Sequence, residues 1–285
     1  MPGKKKQPRG KWWLSESSYR LAFEDDDFLM LDEMRPVRLL LELEKTELAM
    51  QKHNIRSTIV VFGGTRIREP KECLARVKKL ESLLKKNPRD RELLNRLSIA
   101  RRIEAKSGFY AEARRFAELV SRESQNSHGA DYVIVTGGGP GIMEAANRGA
   151  DDCGAKSIGL NITLPMEQRP NDFITPDLCF QFRYFAVRKM HFLMRAKALV
   201  AFPGGYGTLD ELFEALTLVQ TDKTKRIPII LFGKEYWAQL INFEYLVNEG
   251  TIDPQDLNLF RFAQTAEEAW QMIRDYNTEP MGWKD

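Results

Sequence analysis

The stretch Pro203-Gly204-Gly205-Tyr206-Gly207-Thr208-Leu209-Asp210-Glu211 combines an anion-binding turn with a carboxylate. It follows the apolar run Ala198-Leu199-Val200-Ala201-Phe202 and precedes apolar residues at helical spacing, Leu209, Leu212, Phe213, Leu216 and Val219. That context reads as strand, glycine turn, helix start. Glycines let backbone N–H groups face a ligand without a Cβ in the way. A helix N-terminus adds unpaired donors and partial positive charge. A phosphate cradle beside Glu211 points to chemistry on a sugar phosphate or nucleotide. A plainer reading stands beside it: Thr208-x-x-Glu211 before an apolar run is also a capping box, in which Glu211 only bonds backbone.

A second cluster, Thr136-Gly137-Gly138-Gly139-Pro140-Gly141-Ile142-Met143, follows the apolar run Tyr132-Val133-Ile134-Val135. Two strand–glycine–helix turns in one α/β sheet can share its carboxyl edge, where ligands bind. A third and weaker instance is Gly63-Gly64 after Ser57–Phe62; a tight turn explains it equally well. None is a dinucleotide fingerprint. The strand Ser157–Asn161 ends without the acidic residue that would bind a ribose hydroxyl, and no G-x-x-x-x-G-K-[ST] occurs.

Arg188-Lys189 lies on the expected helix just before the Ala198 strand, within reach of the Gly204 turn. Arginine's planar fork suits a phosphate or sugar. A surface basic pair is the alternative.

These residues resemble the Lonely Guy family of phosphoribohydrolases. Arg188-Lys189 followed by Pro203–Glu211 carries the likeness. Gly137–Asn147 and Leu164-Pro165-x-Glu167-Gln168 are similar to the longer bacterial branch, related to AMP nucleosidases. The likeness covers about Ser57 to Asp222. It implies a Rossmann-like fold and cleavage of the N-glycosidic bond of a nucleoside 5′-monophosphate. It implies Arg188 and Glu211 as the catalytic pair. It implies Gly204, Gly205, Gly207 and Thr208 as the phosphate turn. Lys189 and Gly137, Gly138, Gly139 and Gly141 join them as substrate-binding positions. Asp210 and Glu167 are candidates for a second carboxylate. The family often carries a lysine decarboxylase label, but nothing in this sequence supports a pyridoxal site. No metal or other cofactor is expected. A non-catalytic nucleotide or cofactor carrier on the same fold is the rival reading.

The elements that must position these residues follow from the rest of the chain. Its 285 residues, 43% hydrophobic and 29% charged, can bury one large core. Residues 1–20 read as a basic, flexible tail, and 21–285 as a single Rossmann-like nucleotide-binding domain. Strands alternating with helices predict an α/β, doubly wound, mostly parallel sheet. A charged helical excursion at about 69–107, broken at Asn87-Pro88, is inserted in it. Its apolar stripes exceed what a lone surface excursion buries, so contact with the body or with a second copy is expected. The likeness likewise implies a homodimer or higher homo-oligomer. A helix is expected from Glu24 to Met50, one from Tyr184 to Lys197 and one from Glu235 to Asn248.

A net charge of +3 and no basic-aromatic stripe argue against nucleic-acid binding. No apolar run reaches membrane-spanning length. Cys73, Cys153 and Cys179 are isolated, which fits a reducing cytoplasm. His53, His128 and His191 are scattered and lack metal-site spacing; His191, near Arg188, is the one with a claim on the site.

Overall fold

The computed structural model describes residues 17–126, 129–164 and 169–278. The chain divides into two compact units, one ending at Thr46 and the other Glu47–Asp285.

In the first unit the expected helix from Glu24 is interrupted. A single turn, α1 (Asp26–Leu29), is capped by Asp25, whose carboxylate accepts from the Phe28 N–H at 3.2 Å. The long helix α2 (Arg35–Lys52) starts only where Pro36 fits a first turn and ends in the second unit.

The second unit continues with β1 (Thr58–Phe62), α3 (Pro70–Lys86), α4 (Arg91–Glu104) and α5 (Gly108–Ser124). A two-residue antiparallel pair, β2 (Gln125–Asn126) and β3 (Gly129–Ala130), precedes β4 (Val133–Thr136) and α6 (Ile142–Asp151). Then come β5 (Ser157–Ile162), β6 (Cys179–Phe182), α7 (Phe185–Met194), β7 (Ala196–Ala201) and α8 (Tyr206–Gln220). The unit closes with β8 (Ile229–Phe232), α9 (Lys234–Leu240), α10 (Phe243–Asn248), β9 (Phe260–Ala263) and α11 (Ala266–Thr278).

Seven strands form one parallel sheet in the order β6-β5-β4-β1-β7-β8-β9. β1, β4 and β8 are buried along their whole length, as apolar strands covered on both faces must be. Ile59 and Val61 join α5, α6 and α11 in one core. On the other face Phe62 meets Phe192 of α7 edge-on, with ring centroids 4.8 Å apart. This is the expected doubly wound α/β fold, Rossmann-like. Strand order reverses between β1 and β7, and a crevice opens there at the carboxyl ends.

Two expected helices are shorter than the apolar pattern predicts. α7 stops at Met194 because β7 begins at Ala196, which pairs with Thr58. The helix after β8 is split, because the Asn242 side chain accepts from the Tyr245 N–H at 3.0 Å and starts a new one.

The charged excursion is a helical hairpin with its own core. Val77 and Leu80 of α3 pack with Leu97 and Ala100 of α4, joined by Leu84 and Leu93. Its stripes thus bury in part on each other. Leu74, Leu83, Leu94 and Ile99 remain exposed. At the root of the hairpin, Arg148 donates to Glu69 at 2.5 Å, and Arg68 to Glu144 at 2.9 Å. No helix among the described residues is long and apolar enough to cross a membrane.

Candidate functional site

The glycine turn after β7 leads into α8 three residues earlier than a capping box at Thr208 requires. Gly205 is the N-cap, no side chain caps the helix, and Thr208 is the third helical residue. Tyr206 and Gly207, at the first two positions, have no carbonyl one turn back to receive their N–H groups. Glu211 lies in the second turn, too far along to close a capping box. That reading of Thr208-x-x-Glu211 is ruled out by where the helix begins.

Gly205 and Gly207 have no internal reason to be glycine. A Cβ built on either meets nothing within 4 Å, and neither has positive φ. A glycine inside a helix costs roughly 0.5–1 kcal/mol relative to alanine. The open space above them is room for a ligand. Gly204 differs, because its α-carbon lies against the Thr208 side chain.

Arg188 comes from the first turns of α7. Its Nε donates to the Leu160 carbonyl of β5 at 2.7 Å, and its guanidinium lies over the Phe192 ring, 4.9 Å from the centroid. Nη1 stands 3.5 Å from Oε1 of Glu211. Both side chains are nearly buried, 12% and 7% exposed. Burial pushes the Glu211 carboxyl up to about 7, against the opposing pull of Arg188 and Lys189. Burial also pushes the Arg188 guanidinium below its ordinary value, with Glu211 and Asp210 opposing. Each charge therefore loses more hydration than its partner replaces.

The pair faces a cavity of about 250 Å³. Its walls include Gly63, Gly64 and Thr65 from the β1 turn, Met143 of α6, Phe185 of α7, and Gly205, Gly207 and Thr208. The weakest of the three glycine turns is thus part of the site. Gly64 donates its N–H to the Pro203 carbonyl at 2.9 Å, tying the β1 and β7 turns together. Phe185 lies in no sequence motif, and Thr65 and Met143, although beside glycine turns, are not among the expected site residues, because no local pattern marks such side chains as cavity wall.

The Gly137-Gly138-Gly139-Pro140-Gly141 turn sits behind the cavity rather than on its wall. A side chain at Gly137 would displace the Arg188 guanidinium, 2.8 Å from that Cβ position. Gly138 has φ +73° and backs onto the Asn161 amide, while the Gly139 carbonyl accepts from Asn171 at 3.1 Å. Gly141, at φ +77°, lies against the Gly64 carbonyl. These glycines seat Arg188 and the β1 turn; none lines the cavity.

Lys189 is not part of the cavity wall. Its Nζ pairs with Asp210 at 2.8 Å and Glu214 at 2.9 Å. Burial pushes the ammonium down, but these two bonds hold it above its ordinary value. Asp210 is at the cavity rim and already neutralised by Lys189. Glu167 lies outside the described residues. His191 is buried on α7, 3.3 Å from Glu47, and does not reach the cavity. No metal-holding cluster of His, Cys, Asp or Glu occurs among the described residues.

Fold and cleft together define a Rossmann-like α/β protein with a cavity at its strand-order switch point. The family model described as "Possible lysine decarboxylase" matches residues 143–273. Cytokinin riboside 5′-monophosphate phosphoribohydrolase LOG3 of Arabidopsis thaliana is 30% identical over 163 residues, covering 56% of this chain and 71% of that protein. A probable cytokinin riboside 5′-monophosphate phosphoribohydrolase, LOGL3 of Oryza sativa subsp. japonica, is 28% identical over 167 residues, covering 56% and 72%. A solved structure of the molybdenum cofactor binding protein from Rippkaea orientalis superposes with a TM-score of 0.44 at 21% identity, over 60% of this chain and 88% of that one. Likeness at that level says nothing about the ligand. The chain belongs to the Lonely Guy family.

Proposed function

We propose that this protein hydrolyses the N-glycosidic bond of a nucleoside 5′-monophosphate, AMP or an N6-modified AMP, to free base and ribose 5-phosphate. The observation that carries the proposal is the buried Arg188–Glu211 pair beside the uncapped N-terminus of α8. The phosphate sits over the open backbone of Gly205 and Gly207, where donors and the helix dipole favour an anion. Arg188 holds ribose oxygens. That places C1′ against Glu211, and the distant phosphate contributes the positioning energy.

Breaking the C1′–N bond builds positive charge on the ribose ring. The Glu211 carboxylate stabilises that charge and takes a proton from the attacking water. The water oxygen ends on C1′, and the departing base carries a proton on its ring nitrogen. The names of the Arabidopsis and rice relatives support this reaction class.

Chromatography of purified protein with AMP, N6-isopentenyl-AMP, the matching nucleosides and free lysine tests the reading. Base release from a monophosphate, with the nucleoside much poorer, is expected. Equal rates on AMP and adenosine would remove the phosphate cradle. Tight AMP binding without base release from any monophosphate would make the protein a carrier.

A further inference from the structure

Tyr236 belongs to none of the glycine turns, yet its hydroxyl holds one of them. It lies on α9, after β8, and its Oη donates to the Gly204 carbonyl at 2.5 Å. The ring is fixed edge-on against Trp237, with centroids 5.4 Å apart, and Trp237 is anchored by its own N–H to the Phe232 carbonyl at 3.0 Å. The hydroxyl is thus delivered from a rigid part of the sheet.

The carbonyl of Gly204 and the N–H of Gly205 belong to one peptide plane and point in opposite directions across it. Fixing the oxygen fixes the donor. Between two glycines this plane meets little steric resistance to turning over. One residue earlier, the Pro203 carbonyl is held the same way by the Gly64 N–H. Two successive peptide planes of the turn are therefore pinned from outside, one by β1's turn and one by α9. The second pin leaves the Gly205 N–H facing away from the Tyr236 hydroxyl, and Gly205 lines the cavity.

We infer that Tyr236 is a positioning residue for the anion site. Its hydroxyl locks the Gly204–Gly205 peptide so that the Gly205 N–H points at the bound phosphate. The inference rests on reading the cleft as a phosphate site. It does not depend on which bond, if any, is cleaved there.

Tyr236→Phe removes one oxygen and keeps the ring, and Tyr245→Phe, on exposed α10, serves as control. Calorimetric titration with ribose 5-phosphate should show affinity about 3- to 10-fold weaker in Tyr236→Phe than in wild type, and unchanged in Tyr245→Phe. With AMP as substrate, KM should rise by a similar factor while kcat stays within about twofold. A structural role alone would lower the melting temperature of Tyr236→Phe and leave the affinity of the folded fraction unchanged. Equal affinities of wild type and Tyr236→Phe overturn the inference, as does absence of binding to either. Binding that weakens in Tyr236→Phe without base release from any monophosphate would keep the inference and refute the hydrolase.

Discussion

Arg188 and Glu211 face each other at 3.5 Å, longer than the 2.7–2.9 Å of a charge-assisted hydrogen bond. Two nearly buried opposite charges that stop short of a close pair leave bonding capacity unspent. A ligand with hydroxyls and a developing positive charge can use both.

Turnover of a nucleoside monophosphate should rise with pH and reach half its plateau near pH 7. Burial holds the Glu211 carboxyl at about 7, and only the ionised form stabilises positive charge on ribose. Glu211→Gln should lower kcat roughly 10²–10⁴-fold and abolish that limb of the profile. Near-normal turnover in a folded Gln variant would exclude Glu211 from the chemistry.

The same shift makes a statement about stability. The folded state binds the Glu211 proton more tightly than the unfolded chain, where the ordinary value is 4.5. Below pH 4.5 both states are protonated. As pH rises to about 7 the unfolded chain ionises first, and the native state loses stability. The full loss is about 3 kcal/mol at ~1.4 kcal/mol per unit. Urea melts between pH 4 and 8 should show wild type losing stability relative to Glu211→Gln across that window. Parallel curves for the two proteins would contradict the buried, proton-binding carboxyl.

Gly207→Ala separates ligand from fold. Nothing in the protein occupies the space of the new methyl group. The variant should melt at the same temperature as wild type or higher, gaining up to ~1 kcal/mol from helix propensity. Its KM for a monophosphate should rise about 10-fold or more, since the methyl group keeps phosphate from the backbone donors. An unchanged KM would move the phosphate elsewhere.

Assembly is testable through the hairpin. Leu80 is in the hairpin core, so Leu80→Ala should cost about 2–5 kcal/mol whatever the oligomer. Leu74, Leu83, Leu94 and Ile99 are exposed. Light scattering should give the mass of a dimer or larger oligomer, falling when these four become serine. A monomeric wild type would refute self-association; an oligomer indifferent to the four changes would place the contact on another surface.

The three strand–glycine–helix turns were legible in the sequence because each is local: an apolar run, glycines, then helical spacing. So were the sheet class and the hairpin break at Asn87-Pro88. Legibility ended where a residue's meaning depends on a distant neighbour. Whether Glu211 caps a helix or faces a ligand turns on whether α8 begins at Tyr206 or after Thr208, and the local pattern fits either start. Lys189 and Arg188 are adjacent in sequence, yet α7 aims one at Asp210 and Glu214 and the other at the cavity. Gly137 has no side chain because Arg188, 51 positions later in the chain, fills that space. Gly63 and Gly64 line the site because strand order places β1 beside β7. Tyr236 carries no motif at all. Composition and spacing determine which elements form. Only the packing of α7, α8 and α9 on the sheet decides which polar groups lose water together, and that loss gives Glu211 its shifted proton affinity.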